Sequence, residues 1–187
     1  DIVQDIDIYK LVWEEDKTQC REPILAAAKR LEKMGCRAIA AECGYFAYFQ
    51  QEVAGYVDIP VFMSSLLQVP MIQQTIGKNR SVGIVAAMGK FLTETHLKNV
   101  GIAPDSNYFI AGAQDEYGCT EFDNLWNAQV RKEVPEAYYS KAEKQMIAMC
   151  RDLVDKHPDM GAIMLECTGM QPFARAIQRE LDLPVYS

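Results

Sequence analysis

The sequence predicts an α/β protein of two pseudo-symmetric halves, each a parallel-type sheet flanked by helices, with an active site in the cleft between them. Three observations lead to this fold class. The stretch Ala38-Ile-Ala-Ala-Glu42-Cys43-Gly44-Tyr45-Phe46 returns as Ala162-Ile-Met-Leu-Glu166-Cys167-Thr168-Gly169-Met170, 124 residues later (167 − 43), and the gapless overlay also matches Phe49/Phe173, Asp58/Asp182, Pro60/Pro184 and Val61/Val185. In both copies an apolar run ends at Glu-Cys, a helix-period segment follows, and Asp-x-Pro-Val opens another apolar run: strand, loop, helix, strand. The runs are uninterrupted by polar residues, as in strands of a parallel sheet covered on both faces.

The elements follow in order. Residues 6–13 have strand character and 14–17 form a turn. Over 18–34, Ile24, Leu25, Ala28 and Leu31 recur at helical spacing, and Gly35 stops the helix. The first cysteine strand spans 36–42, followed by a helix over 45–56 and a short strand at 60–63. Ser64 or Ser65 caps the next helix, which runs toward Gly77, and one of the two serines also lines the cleft. The polar break at 78–81 divides the chain into halves at 1–79 and 80–187.

The second half opens with a buried strand at 81–87, a helix over 91–100 and a strand at 107–112. A long helix runs from about Val134 to Lys156 with Ala137, Ala142, Met146, Met149 and Leu153 inward, and His157-Pro158 ends it. The second cysteine strand, a helix over 172–181 and a strand at 184–186 complete the chain. This half has two strand-like runs ahead of its cysteine strand, where the first has one at 6–13. True copies therefore predict an opening strand and helix of roughly 20–40 residues before Asp1 and a final helix after Ser187.

Composition excludes several classes of function. With 26 acidic against 19 basic residues the net charge is −7, and no basic cluster is visible, which argues against nucleic acid or an anionic membrane as partner. No apolar run approaches the roughly 18–20 residues of a membrane span, and the first residues carry no signal-peptide pattern. The six cysteines, at 20, 36, 43, 119, 150 and 167, form no C-x-x-C pair of the metal-binding kind. A reducing, cytoplasmic setting is the expectation, with most thiols serving as small buried apolar groups.

Cys43 and Cys167 would each stand at the carboxyl end of a strand and the amino end of a helix, where open α/β sheets place their ligands. Two such sulfurs facing each other suit inversion of a carbon next to a carboxylate, one removing a proton and the other supplying one. A thiol has a pKa of about 8.5 that a helix amino terminus lowers, and the two would titrate as a pair. Backbone N–H groups of Gly44, Tyr45, Thr168 and Gly169, with the Thr168 hydroxyl, would hold the substrate carboxylate and the developing charge. No metal and no organic cofactor is expected: there is no H-x-x-x-H, glycine-rich dinucleotide loop or phosphate loop.

These residues resemble a known family. Glu42-Cys43-Gly44-Tyr45-Phe46 and Leu165-Glu166-Cys167-Thr168-Gly169-Met170, with Asp58-Ile-Pro-Val-Phe-Met-Ser64-Ser65 between them, look like the aspartate/glutamate/hydantoin racemase superfamily, over nearly the whole chain. The resemblance implies a cofactor-independent amino-acid racemase acting by two-base proton transfer through Cys43 and Cys167, with a small carboxylate or amino acid as partner and a homodimer as assembly. Members lacking one cysteine are decarboxylases, of the arylmalonate kind, and members with both include a maleate cis-trans isomerase, so both outcomes stay open. Gly169 departs from the Cys-Thr-His motif of glutamate racemases, and the resemblance does not extend to a glutamate-specific assignment. From another class, a small-molecule binding protein or a redox sensor closing a Cys43 to Cys167 disulfide would also use the repeat.

Other residues have plainer readings. Cys119, in Gly118-Cys119-Thr120-Glu121, resembles the Gly-Cys-Thr of other racemases but lies outside the repeat, and Cys20, Cys36 and Cys150 read as structural. Strand alternation points Glu42 and Glu166 away from the sulfurs, toward hydrogen bonds across the sheet or a subunit contact. His96 and His157 read as solvated. The ring of Tyr45 packs against the sheet and stands close enough to Cys43 to shape the pocket.

Overall fold

The structure, a computed structural model, describes residues 2–126 and 138–187. In chain order it holds α1 (Thr18–Lys33), β1 (Ile39–Ala40), α2 (Gln50–Tyr56), β2 (Val61–Phe62), α3 (Val69–Ile76), β3 (Ser81–Ala86), α4 (Glu94–Asn99), β4 (Tyr108–Gly112), α5 (Thr120–Trp126), α6 (Tyr139–Lys156), β5 (Met160–Leu165), α7 (Ala174–Leu181) and β6 (Val185–Tyr186). All four strand pairings are parallel and helices flank the sheets, so the fold is the α/β class that the sequence predicts. Of the long helix expected from 134, α6 begins at Tyr139, and Val134 and Ala137 lie outside the described residues. Among the described residues no helix is long and apolar enough to cross a membrane.

Contacts group the chain into two compact units, Asp1–Leu67 with Phe91–Pro104, and Gln68–Lys90 with Asp105–Ser187. That grouping measures packing. The halves at 1–79 and 80–187 concern duplication and stand as a proposal.

In the first unit, β1 and β2 form a two-stranded sheet in the register Ile39 to Val61 and Ala40 to Phe62. Helix α1 turns Cys20, Ile24, Leu25, Ala27 and Ala28 inward. The Asp16 carboxylate accepts the Thr18 N–H at 2.9 Å at its start, and Gly35, at φ +86°, ends it in the left-handed region that glycine enters without strain. The strand expected at 6–13 is absent: residues Tyr9–Trp13 form a π-helical turn with Leu11 and Val12 buried. The cause is local, because the Asp7 carboxylate accepts the Lys10 N–H at 3.0 Å and the Asp7 carbonyl accepts that of Leu11 at 3.1 Å, bonds that start a helix rather than a ladder.

The second unit carries a four-stranded sheet in the order β4-β3-β5-β6. Every residue of β3 and β5 is buried, as central parallel strands with helices on both faces require. Helix α6 lays Ala142, Met146, Met149 and Leu153 into a core with Val85, Ile163 and Leu165, while α3 packs on β3 and β5.

The repeat extends to hydrogen bonding. The pairs Ile39 to Val61 and Ala40 to Phe62 reappear as Ile163 to Val185 and Met164 to Tyr186, each position 124 further on. The tight 3-10 helices Gly44–Phe49 and Thr168–Phe173 keep the same offset. The Phe46 N–H donates to the Cys43 carbonyl at 3.1 Å and the Met170 N–H to that of Cys167 at 2.9 Å. Strand length differs: β5 has partners on both sides and runs six residues, whereas β1 pairs only with β2 among the described residues and runs two, shorter than the expected 36–42.

Candidate active site

In the second unit the sheet order reverses between β3 and β5: β4 lies on one side of β3, and β6 on the far side of β5. The crevice at the carboxyl ends of two such strands is where open α/β sheets bind ligands. β5 ends at Leu165, and Glu166 and Cys167 follow directly, so the duplicated Glu-Cys pair stands at this switch point. The Glu166 N–H continues the ladder by donating to the Val85 carbonyl at 2.8 Å.

Cys167 is extended, at φ −83° and ψ 131°, and opens the 3-10 helix. It is half-buried. Burial, and after it the neighbouring Glu166 carboxylate, push its thiol up to about 12, against a smaller lowering by the nearby Gly169 and Met170 N–H groups. Cys167 is therefore a thiol at neutral pH. A Cβ added at Gly169 would touch the Phe122 ring at 3.5 Å and the Cys167 sulfur at 3.7 Å, so the glycine lies close to both. Thr168 is exposed beside it.

Glu166 follows β5 directly, with its carboxyl near the Ala87 N–H, which works against the effect of burial. The side chain is 1% exposed, and burial pushes the carboxyl up to about 8. The duplicated Glu-Cys was the signal for it; Glu42, its copy, is exposed.

Cys43 belongs to the first unit, half-buried at the amino end of Gly44–Phe49, with φ −107° and ψ 127°. With Glu42, Phe46, Met63, Ile39 and Ile24 it lines a mainly apolar cavity of about 560 Å³. Gly44 is buried. Tyr45 is 3% exposed, its ring edge-on to His96 at 6.0 Å. The Ser64 hydroxyl accepts the Leu66 N–H at 3.2 Å at the start of the 3-10 turn Ser65–Gln68, where Ser65 is half-buried, whereas α3, the helix expected to take a serine cap, begins after Gln68 with no side-chain cap bond.

The histidines are not solvated as expected. His96 is fully buried: its Nδ1 accepts the Thr93 N–H at 3.1 Å in a capping box at the start of α4, and Tyr45 and Tyr48 pack on its ring. Burial, and after it the nearby Lys17 ammonium, lower it to about 4, so it stays neutral. His157 is half-buried and stacks on Phe109 at 3.4 Å between ring centres. Cys119 and Cys150 are buried, and burial pushes their thiols up to about 11 and about 12, as suits structural residues. Cys20 is likewise buried and raised, and Cys36 is half-buried. Among the described residues no group of three or more His, Cys, Asp or Glu side chains could hold a metal ion.

Comparison with known proteins adds three findings. The family model for Asp/Glu/hydantoin racemase matches residues 9–187. A dimethylsulfoniopropionate lyase of Durusdinium sp. clade D is 31% identical over 159 residues, 83% of this chain and 50% of that protein, and dimethylsulfoniopropionate lyase 3 of Emiliania huxleyi is 29% identical over 174 residues, 89% of this chain and 43% of that one. The chain thus spans about half the length of the curated relatives it matches. Among solved structures, glutamate racemase isoform RacE1 of Bacillus anthracis shares the fold at a TM-score of 0.62 and 13% identity, over 91% of this chain and 60% of its own.

Proposed function

Because the chain belongs to the Asp/Glu/hydantoin racemase family, we propose that it removes a proton from the carbon next to a carboxylate, with dimethylsulfoniopropionate as substrate and elimination as outcome. The observation that carries the proton chemistry is the doubled strand, cysteine and 3-10 helix, repeated down to the hydrogen-bond register. The lyases among its relatives support the outcome. A thiolate, assigned to Cys43, takes the α-proton. The electron pair of that C–H bond becomes the new double bond, the C–S bond to the sulfonium breaks, dimethyl sulfide leaves with its electrons, and acrylate remains. Cys167, held as a thiol, is assigned to the acid that faces the developing enolate charge.

The substrate carboxylate is assigned to the Thr168 hydroxyl and N–H with the N–H groups of Gly44 and Tyr45. Gly169, exposed beside Thr168, is assigned to the same carboxylate through its N–H. Of the serines, Ser65 is assigned to the substrate, since Ser64 is occupied by Leu66. A second reading, an amino-acid racemase in which Cys43 and Cys167 remove and return the α-proton, is favoured by the cysteine being duplicated at all, because elimination needs only one base.

Incubation with dimethylsulfoniopropionate in deuterium oxide separates the readings. Headspace gas chromatography is expected to show dimethyl sulfide, NMR to show acrylate, and Cys43→Ala to lower both at least about 100-fold. α-Deuterium entering aspartate or another amino acid without dimethyl sulfide would move the assignment to the racemase. Absence of both reactions sinks the proton-abstraction reading.

A further inference from the structure

We propose that each strand-end cysteine is held in position by a clamp on the 3-10 helix that follows it, formed by Asn99 with His96 in the first unit and by Tyr139 in the second. The catalytic meaning of the clamps rests on the proton chemistry proposed above; their geometry does not.

A short 3-10 helix holds its own shape poorly, because its hydrogen bonds are less well aligned than those of an α-helix and its side chains eclipse. Gly44–Phe49 and Thr168–Phe173 are such helices, and each begins directly after its cysteine. A tilt of either helix therefore swings a sulfur. In both copies the carbonyl of the fifth residue after the cysteine is taken by a side chain from another helix. The Tyr48 carbonyl accepts a side-chain N–H of Asn99, the last residue of α4. The Pro172 carbonyl, 124 positions further on (172 − 48), accepts the hydroxyl of Tyr139, the first residue of α6, at 2.9 Å.

A ring adds a second hold in each copy. His96 of α4 meets Tyr45 at 6.0 Å and Tyr48 at 5.3 Å between ring centres, and Tyr139 stacks on Phe173 at 5.1 Å. His96 is itself fixed, since its Nδ1 accepts the Thr93 N–H at 3.1 Å. The proton of the neutral ring then sits on Nε2, an atom that is buried with no hydrogen-bond partner, so the imidazole serves as a packing surface and not as a base. The Gln51 side chain of α2 donates to the Asn99 carbonyl at 2.8 Å and steadies the clamp from behind. Unrelated side chains thus hold one repeated carbonyl. A base abstracts a proton only from a near-attack geometry, and a displacement of about 1 Å costs up to about 100-fold in rate. The clamps therefore act on kcat and leave substrate affinity alone.

The test deletes one bond at a time, at places that tolerate it: Asn99 is half-buried and Tyr139 exposed. Amide hydrogen exchange by NMR reads each helix through the bond that closes onto its cysteine, from the Phe46 N–H to the Cys43 carbonyl at 3.1 Å and from the Met170 N–H to that of Cys167 at 2.9 Å. Asn99→Ala is expected to speed exchange at Phe46 at least about tenfold and leave Met170 unchanged; Tyr139→Phe, which keeps the ring, is expected to do the reverse. With dimethylsulfoniopropionate, Asn99→Ala is expected to lower kcat about tenfold with KM within about twofold. His96→Gln, which keeps the cap on Thr93 but not the ring, is expected to move Phe46 exchange and kcat in the same direction as Asn99→Ala. Wild-type exchange at both amides in the folded variants overturns the clamps, and faster exchange with kcat unchanged overturns their role in positioning. A wild-type protein that releases no dimethyl sulfide and exchanges no α-proton removes the functional reading alone, and the amide pattern then decides the clamps by itself.

Discussion

At the end of β4 the chain doubles back so closely that Gly112 has no room for a side chain. A Cβ there would lie 1.7 Å from the Asp115 carboxylate and 2.5 Å from the Gly89 nitrogen. That carboxylate accepts the N–H groups of Gly89 and Lys90, both at 3.0 Å, and so fixes the turn that follows β3. The same turn contains Ala87, whose carbonyl accepts the Gln114 N–H at 2.9 Å. Gly112→Ala must therefore displace backbone, not only a rotatable carboxylate. Its expected cost is about 2–4 kcal/mol, read as a lower urea midpoint. Asp115→Ala, which deletes two hydrogen bonds without a clash, is expected to cost less, about 1–2 kcal/mol. Equal or smaller loss for Gly112→Ala would mean that the turn yields freely.

At the level of elements, the two copies hold their second strand by different residues. In the first, the buried Gln50 side chain donates to the Val61 carbonyl at 3.1 Å and accepts the Met63 N–H at 2.9 Å. In the second, alanine stands at the matching position, 174, and Gln178 accepts the Val185 N–H at 3.4 Å from an exposed site. Gln50→Leu strands two backbone groups in the core and is expected to cost about 2–3 kcal/mol, against under about 1 kcal/mol for Gln178→Leu, by chemical denaturation. The contrast shows what sequence can carry. The Glu-Cys repeat and the Asp-x-Pro-Val restart were legible because strand pairing and helix starts depend on local patterns, and the structure keeps them at the same 124-residue offset. The length of β1 was not legible, since a ladder grows only where neighbours exist. Residues 6–13 misled because Asp7 turns an alternating pattern into a helical turn. Identical letters at Glu42 and Glu166 gave no hint that one is exposed and the other enclosed. His96 likewise looks like a surface histidine until Tyr45 and Tyr48 close over it.

For the whole molecule, these two enclosed groups, one in each unit, set opposite pH dependences. His96 stays neutral in the fold down to about 4, while in the unfolded chain it takes a proton below about 6.5. Stability is therefore lost as the pH falls from 6.5 toward 4. Glu166 keeps its proton in the fold up to about 8, while unfolded it ionises above about 4.3. Stability is thus lost as the pH rises through that interval. Each effect amounts to at most about 3–5 kcal/mol. Between about 4.5 and 6.5 the two slopes, one proton each, oppose and cancel; above 6.5 only Glu166 acts. Exposed ion pairs such as Arg151 to Glu180 and Lys156 to Asp152 add little that varies in this range. Thermal midpoints of wild type are expected to be level from pH 4.5 to 6.5 and to fall from 6.5 to 8. Glu166→Gln removes the alkaline fall and uncovers an acid one. His96→Gln, whose amide can accept the Thr93 N–H in the same capping position, leaves a continuous fall from 4.5 to 8. A Glu166→Gln protein that still loses stability above pH 6.5 as steeply as wild type would show that Glu166 is not the source of the alkaline fall, and so that it is already ionised in the neutral fold of the wild type.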